Sequence, residues 1–283
     1  MSSPKVTVLM PVFNSEKYLN EAIGSVLSQS FIDFELLIIN DGSTDDSVRI
    51  IQEYQGKDNR IVYVKNERNV GIQKTLNKGI SLSQGGYIAR MDSDDIWCDQ
   101  KKLQKQLDFL DNNPDYALVG TAMETIDTHG DKLQIIKYKE TDKEIRNSIL
   151  FSSQFAHPSI IIRKSALESI GNYSEEKKHR NVEDYELWLR IGTRFKFANL
   201  GDICLKYRIH PQSVSMQNEF RHRLNWIAVT MKYAKYYPHA SKAIIAKIST
   251  LIISRKFLCN VTKKSRLIAT IYSNISGIQK ESD

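Results

Sequence analysis

The chain has 283 residues, 41% of them hydrophobic, enough apolar surface for one α/β domain with an appendage or for two small domains. Its net charge of +7 sits at one end: from residue 219 onward there are 12 Lys and Arg against 3 Asp and Glu, so this tail carries +9 and the first 218 residues −2. Cys98, Cys204 and Cys259 form neither a paired framework nor a C-x-x-C, no stretch has 18 uninterrupted apolar residues, and the first 13 residues lack a basic and then apolar leader. These features exclude a disulfide scaffold and a spanning helix, and a cytoplasmic protein, soluble or peripheral on the inner face of the membrane, is expected.

Residues 6–12 read as a first buried strand, and Asn14-Ser15 as the cap of a helix whose apolar face is Leu19, Ala22, Ile23, Val26 and Leu27. Residues 34–39 make a second strand, closed by Asn40-Asp41-Gly42-Ser43-Thr44, with Val48 and Ile51 inward on the next helix. A third strand at 61–64 leads through Asn66 to Gly71 into a helix bearing Leu76 and Ile80. The fourth, at 87–91, is entered from Gly85-Gly86. Four strand–helix alternations predict a mostly parallel sheet between helices. Leu103, Leu107 and Leu110 mark a further helix, 116–120 is strand-like, and 121–155 is mixed and polar. Strands at 159–162 and 203–209 flank a helix at 182–194. Beyond 219 the pattern is helical only, with Phe220, Leu224, Ile227 and Met231, then Ile244, Ile248, Leu251 and Ile252, then Leu267, Ile271, Ile275 and Ile278.

The fourth strand ends in Asp92-Ser93-Asp94-Asp95, three carboxylates in four residues at the sheet edge where open α/β folds bind ligands. Clustered carboxylates repel unless a cation holds them, and a hard divalent ion carrying a diphosphate does so. The competing reading is an acidic turn with Asp95 as a helix cap. A second acid, Asp41, ends strand two on the same edge, where Gly42 permits a tight turn. No G-x-G-x-x-G, no G-x-x-x-x-G-K-[ST] and no G-x-S-x-G occurs, which disfavours dinucleotide oxidoreductases, P-loop phosphotransferases and α/β hydrolases.

Five segments in order, Pro11-Val12-Phe13-Asn14, Asn40 to Asp45, Asn69-Val70-Gly71, Tyr87 to Asp95, and Glu183-Asp184-Tyr185-Glu186-Leu187-Trp188-Leu189-Arg190, resemble the inverting family 2 glycosyltransferases of GT-A fold, of the bacterial surface-polysaccharide type. The resemblance covers residues 5 to about 215. It implies a catalytic domain over 1–217, nucleotide-binding to about residue 98 and acceptor-binding from about 99, followed by a basic helical extension over 218–283. By the same resemblance, Pro11, Phe13 and Asp41 hold the nucleoside, with Arg68 and Asn69 finishing that pocket. Asp92 lies near the ribose, and Asp94 holds the Mn²⁺ or Mg²⁺ that bridges the diphosphate, with Asp95 as an alternative ligand. In the segment 207–215, His210 completes the metal site and Arg208 neutralises phosphate charge; a lone His at a strand end is as often simply half-exposed. Asp with His would favour Mn²⁺, because imidazole is the softer ligand.

Glu183-Asp184 opens a helix, where acids interact favourably with the helix dipole. That placement also keeps a carboxylate ionised, and the resemblance implies Asp184 as general base, with Glu183 as orienter or alternate. No catalytic role follows for His157.

The expected function is transfer of a hexose or N-acetylhexosamine from a UDP-sugar to a glycan hydroxyl, with a lipid-diphosphate-linked acceptor as in O-antigen or capsule synthesis. The alternative enzyme is a nucleotidyltransferase making a nucleotide sugar, which the lack of a Gly-rich basic phosphate loop disfavours. A nucleic-acid binder is a third reading, and the tail carries no nucleic-acid module to support it. The tail's Lys and Arg residues, among them Lys242 and Lys247, suit an anionic membrane surface.

Overall fold

The computed structural model describes residues 3–210, 219–258 and 279–281. One half of its sheet is four parallel strands, β1 (Val6–Val12), β2 (Phe34–Asn40), β3 (Ile61–Lys65) and β4 (Tyr87–Arg90), ordered β4-β1-β2-β3 with β3 at the edge. Every residue of β1 and β2 is buried, as the continuous Val/Ile/Leu runs require of strands covered on both faces. Alternate residues feed two cores. Val6, Val8, Met10, Leu36 and Ile38 face α1 (Leu19–Leu27), α2 (Ser47–Gln55) and α4 (Lys102–Asn112). Leu9, Leu37 and Ile39 belong to the other core, with Leu76 and Ile80 of α3 (Ile72–Leu82).

The second half of the sheet is mixed where the first is parallel. After the two-residue β5 (Ile96–Trp97) come β6 (Tyr116–Ile126), β7 (Lys132–Lys137), α5 (Asp142–Ser148), β8 (Ile161–Arg163), α6 (Lys164–Ile170), α7 (Glu183–Ile191) and β9 (Lys196–Arg208). β8 runs antiparallel to β4 and β6, β7 runs antiparallel to β6, and β9 lies parallel to β6 while pairing antiparallel with β5. The stretch 121–155, mixed in sequence, is thus the end of β6, all of β7 and α5, which a Thr141–Glu144 capping box starts. The strand expected at 159–162 is shifted: His157–Ser159 forms a 3₁₀ turn, because Pro158 has no N–H for a ladder, and β8 begins at Ile161. The closing strand begins seven residues earlier than expected, at Lys196, since β6 offers it a long partner.

The tail forms α8 (Glu219–Tyr233) and α9 (Ala240–Leu258). Val229, Tyr233, Tyr237 and Ala243 join the same core as α7, so these helices pack on the sheet domain. Their inward faces differ from the sequence expectation. Leu224 (43% exposed) and Met231 (58%) face solvent, whereas Trp226, Thr230 and Tyr233 turn inward, the aromatic rings having more area to bury. On α9, Ile248 is exposed and Lys247 is buried, the reverse of the expected pattern. The tail is also not helical throughout: Gln279–Glu281 forms β10, antiparallel to β7, whose backbone is otherwise an open edge. The apolar positions Leu267, Ile271, Ile275 and Ile278 lie outside the described residues.

Candidate active site

The four parallel strands end on one edge, and polar side chains lace their loops together. Asn14, held at φ 50°, accepts from the Thr44 amide (2.9 Å) through Oδ1, while its own N–H donates to Ser43 Oγ. The Ser15 and Ser93 hydroxyls meet at 2.7 Å, joining the loop after β1 to the acidic turn after β4. Asp41 is buried and accepts three hydrogen bonds, from Asn66 Nδ2 (2.8 Å), Val70 N (3.0 Å) and Gly71 N (3.0 Å). It therefore fixes the 66–71 loop, with about one lone-pair position left over. Gly42 is required beneath that loop: its φ is +77°, and a Cβ there would sit 2.7 Å from the Arg68 carbonyl carbon. Arg68 and Asn69 are exposed at the lip, as is Phe13, while Pro11 is buried in β1.

Asp92, Asp94 and Asp95 each offer a carboxylate oxygen within 4.8 Å of the others. Asp95 is fully buried and accepts from the Arg208 amide (2.8 Å) through Oδ1, while its Oδ2 has no hydrogen-bond partner. Asp92 pairs with the buried guanidinium of Arg90. Burial pushes the carboxyls of Asp92 and Asp95 upward; Arg90 partly offsets this, and their like-charged neighbours in the turn push further. A buried carboxylate oxygen without a donor, in a mutually repelling set, fits a divalent cation. The end of β9 folds over this turn. His210 Nε2 lies 2.9 Å from Asp94 Oδ2, and Arg208 donates to the Asp94 carbonyl (3.0 Å) and to Glu21 (2.5 Å) while stacking on Tyr18 (4.4 Å). Residues 211–215 of the predicted closing segment lie outside the described residues.

The second acidic pair opens α7. Glu183 is buried with Oε2 unpartnered, and burial followed by repulsion from Asp184 pushes it up to about 7. Asp184 is half-buried and is also pushed upward by burial, against hydrogen bonding from the Tyr185 amide (2.7 Å) and the positive charges of His222 and Arg90. Asp184 adds to the upward push on Asp92, after burial and the nearer Asp94. Arg90 is common to both. Within the sequence it was part of a motif without a role, although an Arg inside a buried strand is itself a signal of buried acids. Asn66, Glu21 and Tyr173 also escaped the sequence reading. Tyr173 meets His157 Nε2 at 2.7 Å, and burial holds that imidazole well below its usual range, hence neutral.

An open α/β sheet with an acidic cluster at its strand ends and an acid-opened helix places the chain among the α/β proteins that bind ligands at a sheet edge. Residues 7–171 match the model of "Glycosyl transferase family 2", and the chain belongs to that family. It is 38% identical over 213 residues to an uncharacterized glycosyltransferase of Methanocaldococcus jannaschii, covering 74% of this chain and 72% of that protein. Against the O-antigen biosynthesis glycosyltransferase WbnJ of Escherichia coli it is 33% identical, covering 74% and 81%. Among solved structures, Staphylococcus aureus TarS 1–349 in complex with UDP-GlcNAc superposes with a TM-score of 0.68 at 21% identity, over 93% of this chain and 77% of that one. The mannosyltransferase PcManGT of Pyrobaculum calidifontis, in complex with GDP-Man and Mn²⁺, does so at 0.64 and 13% identity, over 97% and 86%. The fold is therefore the expected GT-A type, the chain is a glycosyltransferase with relatives in polysaccharide biosynthesis, and the nucleotidyltransferase alternative is not favoured.

Proposed function

We propose that the chain transfers one hexose or N-acetylhexosamine from a UDP-sugar to a hydroxyl of a lipid-diphosphate-linked glycan, with inversion at the anomeric carbon. The observation that supports this reading is the carboxylate cluster Asp92, Asp94 and Asp95 on the sheet edge, with Asp184 opening α7 as the second acidic site. Residues 1–98 then supply the donor side, with Asp41, Arg68, Asn69, Pro11 and Phe13 around the nucleoside. Asp94, Asp95 and His210 would hold Mn²⁺ or Mg²⁺, which when bound offsets charge on the diphosphate. Arg208 is anchored to Glu21, so its contribution to a phosphate is shared with that carboxylate.

On the other side, Asp184 takes the proton from the attacking acceptor hydroxyl. Its upward shift brings the carboxyl closer to the working pH, which suits a general base. Glu183 is the alternate acid, and its buried, partly protonated carboxyl orients the pair. Arg90 opposes the upward shift of both Asp92 and Asp184.

No helix among the described residues is long and apolar enough to cross a membrane. Exposed Leu224, Met231, Tyr236, Ile245 and Ile248, with Arg221, Lys232, Lys235 and Lys242 exposed beside them, support peripheral docking of α8 and α9 on an anionic surface. UDP release from UDP-Glc, UDP-Gal, UDP-GlcNAc and UDP-GalNAc, with and without Mn²⁺, tests the reaction. Donor-dependent UDP release with none of the four would remove it.

A further inference from the structure

We propose that the first helix of the basic tail is a wall of the acceptor subsite, where the His222 imidazole and the Trp226 indole meet the acceptor sugar beside Asp184. The inference rests on the glycosyl-transfer reading above and extends it to residues outside the matched family region, which ends at 171.

The register of α8 on α7 locates these side chains. The Tyr185 ring packs edge-on against Trp226 at 5.3 Å, and its hydroxyl meets Thr230 Oγ1 at 3.2 Å. One step further, Tyr233 donates to Glu186 (2.5 Å), and further still Tyr237 donates to the Leu189 carbonyl (2.7 Å). The partners advance together, so the two helices run parallel. One turn before Trp226, His222 falls level with the residues that open α7, and Asn225 Nδ2 donates to the Arg180 carbonyl at 3.4 Å just upstream of them. Register thus puts His222 beside the first turn of α7, the turn that carries Asp184.

The two rings are neighbours. His222 and Trp226 lie 5.9 Å apart and 20° from parallel, and both are half-buried, so each retains contact with solvent. Lys247 of α9 supports them: its ammonium lies 3.7 Å from the Trp226 ring centre and is buried with no hydrogen-bond partner. Burying an unpaired amine is unfavourable, and docking of α8 does not call for it, because Val229, Thr230, Tyr233 and Tyr237 already anchor the helix. What the amine does is fix the indole plane by a cation–π contact. A fixed indole beside an imidazole matches a pyranose, whose C–H face stacks on aromatic rings and whose hydroxyl rim takes hydrogen bonds. The ligand class is a saccharide presenting one hydroxyl toward Asp184.

Steady-state kinetics with octyl β-D-glucoside, β-D-galactoside and their N-acetylhexosamine counterparts as probe acceptors test this, at saturating UDP-sugar. For the glycosides that saturate the wild type, Trp226→Ala and His222→Ala should raise the acceptor KM at least about tenfold, with UDP affinity retained. Trp226→Phe, which keeps an aromatic face, should recover most of it. Tyr233→Phe loosens α8 from Glu186 without touching the rings and should lower thermal stability while leaving the acceptor KM in place. An unchanged KM in the alanine variants, or a Tyr233→Phe variant with the same KM defect, overturns the subsite and leaves α8 a packing element. So does a wild type that releases UDP from a donor yet saturates with none of the glycosides. Absence of donor-dependent UDP release altogether removes the transfer reading instead.

Discussion

The two acidic sites are built by different means. The site at the strand ends consists of loops that follow one another on successive parallel strands, and hydrogen bonds between nearby polar groups tie them together, Asn14 to Thr44, Ser15 to Ser93, Asp41 to Val70 and Gly71. The site at the start of α7 is an assembly of distant segments, in which α7 packs against Trp226 and Tyr237 from the tail and against His157, itself held by Tyr173, from in between. Damage at the first site should therefore appear in nucleotide binding, and at the second in chemistry, acceptor use and stability.

The largest expected effect separates the two sites. Asp184→Asn should lower kcat by about 10²–10⁴, the usual worth of a general base, with UDP affinity near that of the wild type by calorimetry. A near-native rate would transfer the role to Glu183. The pH profile refines this: a base with a raised pKa loses activity as pH falls through that value, so the acid limb should lie above the range of an ordinary Asp.

Next comes the metal. EDTA should abolish transfer and Mn²⁺ restore it, and Asp94→Ala should lose Mn²⁺ affinity in a titration while circular dichroism stays native, since the residue is half-buried on a loop. Full turnover in EDTA would break the metal assignment. At the same site but smaller, Asp41→Ala should weaken UDP binding by roughly tenfold and speed proteolysis at 66–71, as three hydrogen bonds to that loop disappear. If UDP affinity holds, Asp41 only shapes the loop.

The smallest effect probes the tail. Burial pulls Lys247 down to about 7. A lysine depressed in the fold penalises folding in full below pH 7, and the penalty shrinks as pH rises toward the unfolded value. Lys247→Met should therefore raise stability, by roughly 1–3 kcal/mol at pH 7 after the lost cation–π contact is allowed for, and by less at pH 9. A destabilised variant would mean that the charge-on-ring contact outweighs burial.

The alternation of apolar runs and turns, and the acids at 41, 92, 94 and 95, are local features, because a strand's face and its terminal loop are set by a few adjacent residues. For that reason β1 to β4, α1 to α3 and the acidic turn were legible in the amino-acid sequence, and the pair Glu183-Asp184 could be singled out as the start of a helix. What a side chain meets across the fold carries no such local signature. Tertiary structure alone buried Arg90 against Asp92, tied Arg208 to Glu21 and filled Asp41 with the 66–71 loop. It also turned Trp226 and Lys247 inward while Leu224 and Ile248 went to solvent, since a helix chooses its buried face by fit to its neighbour and not by hydrophobicity of its own residues alone.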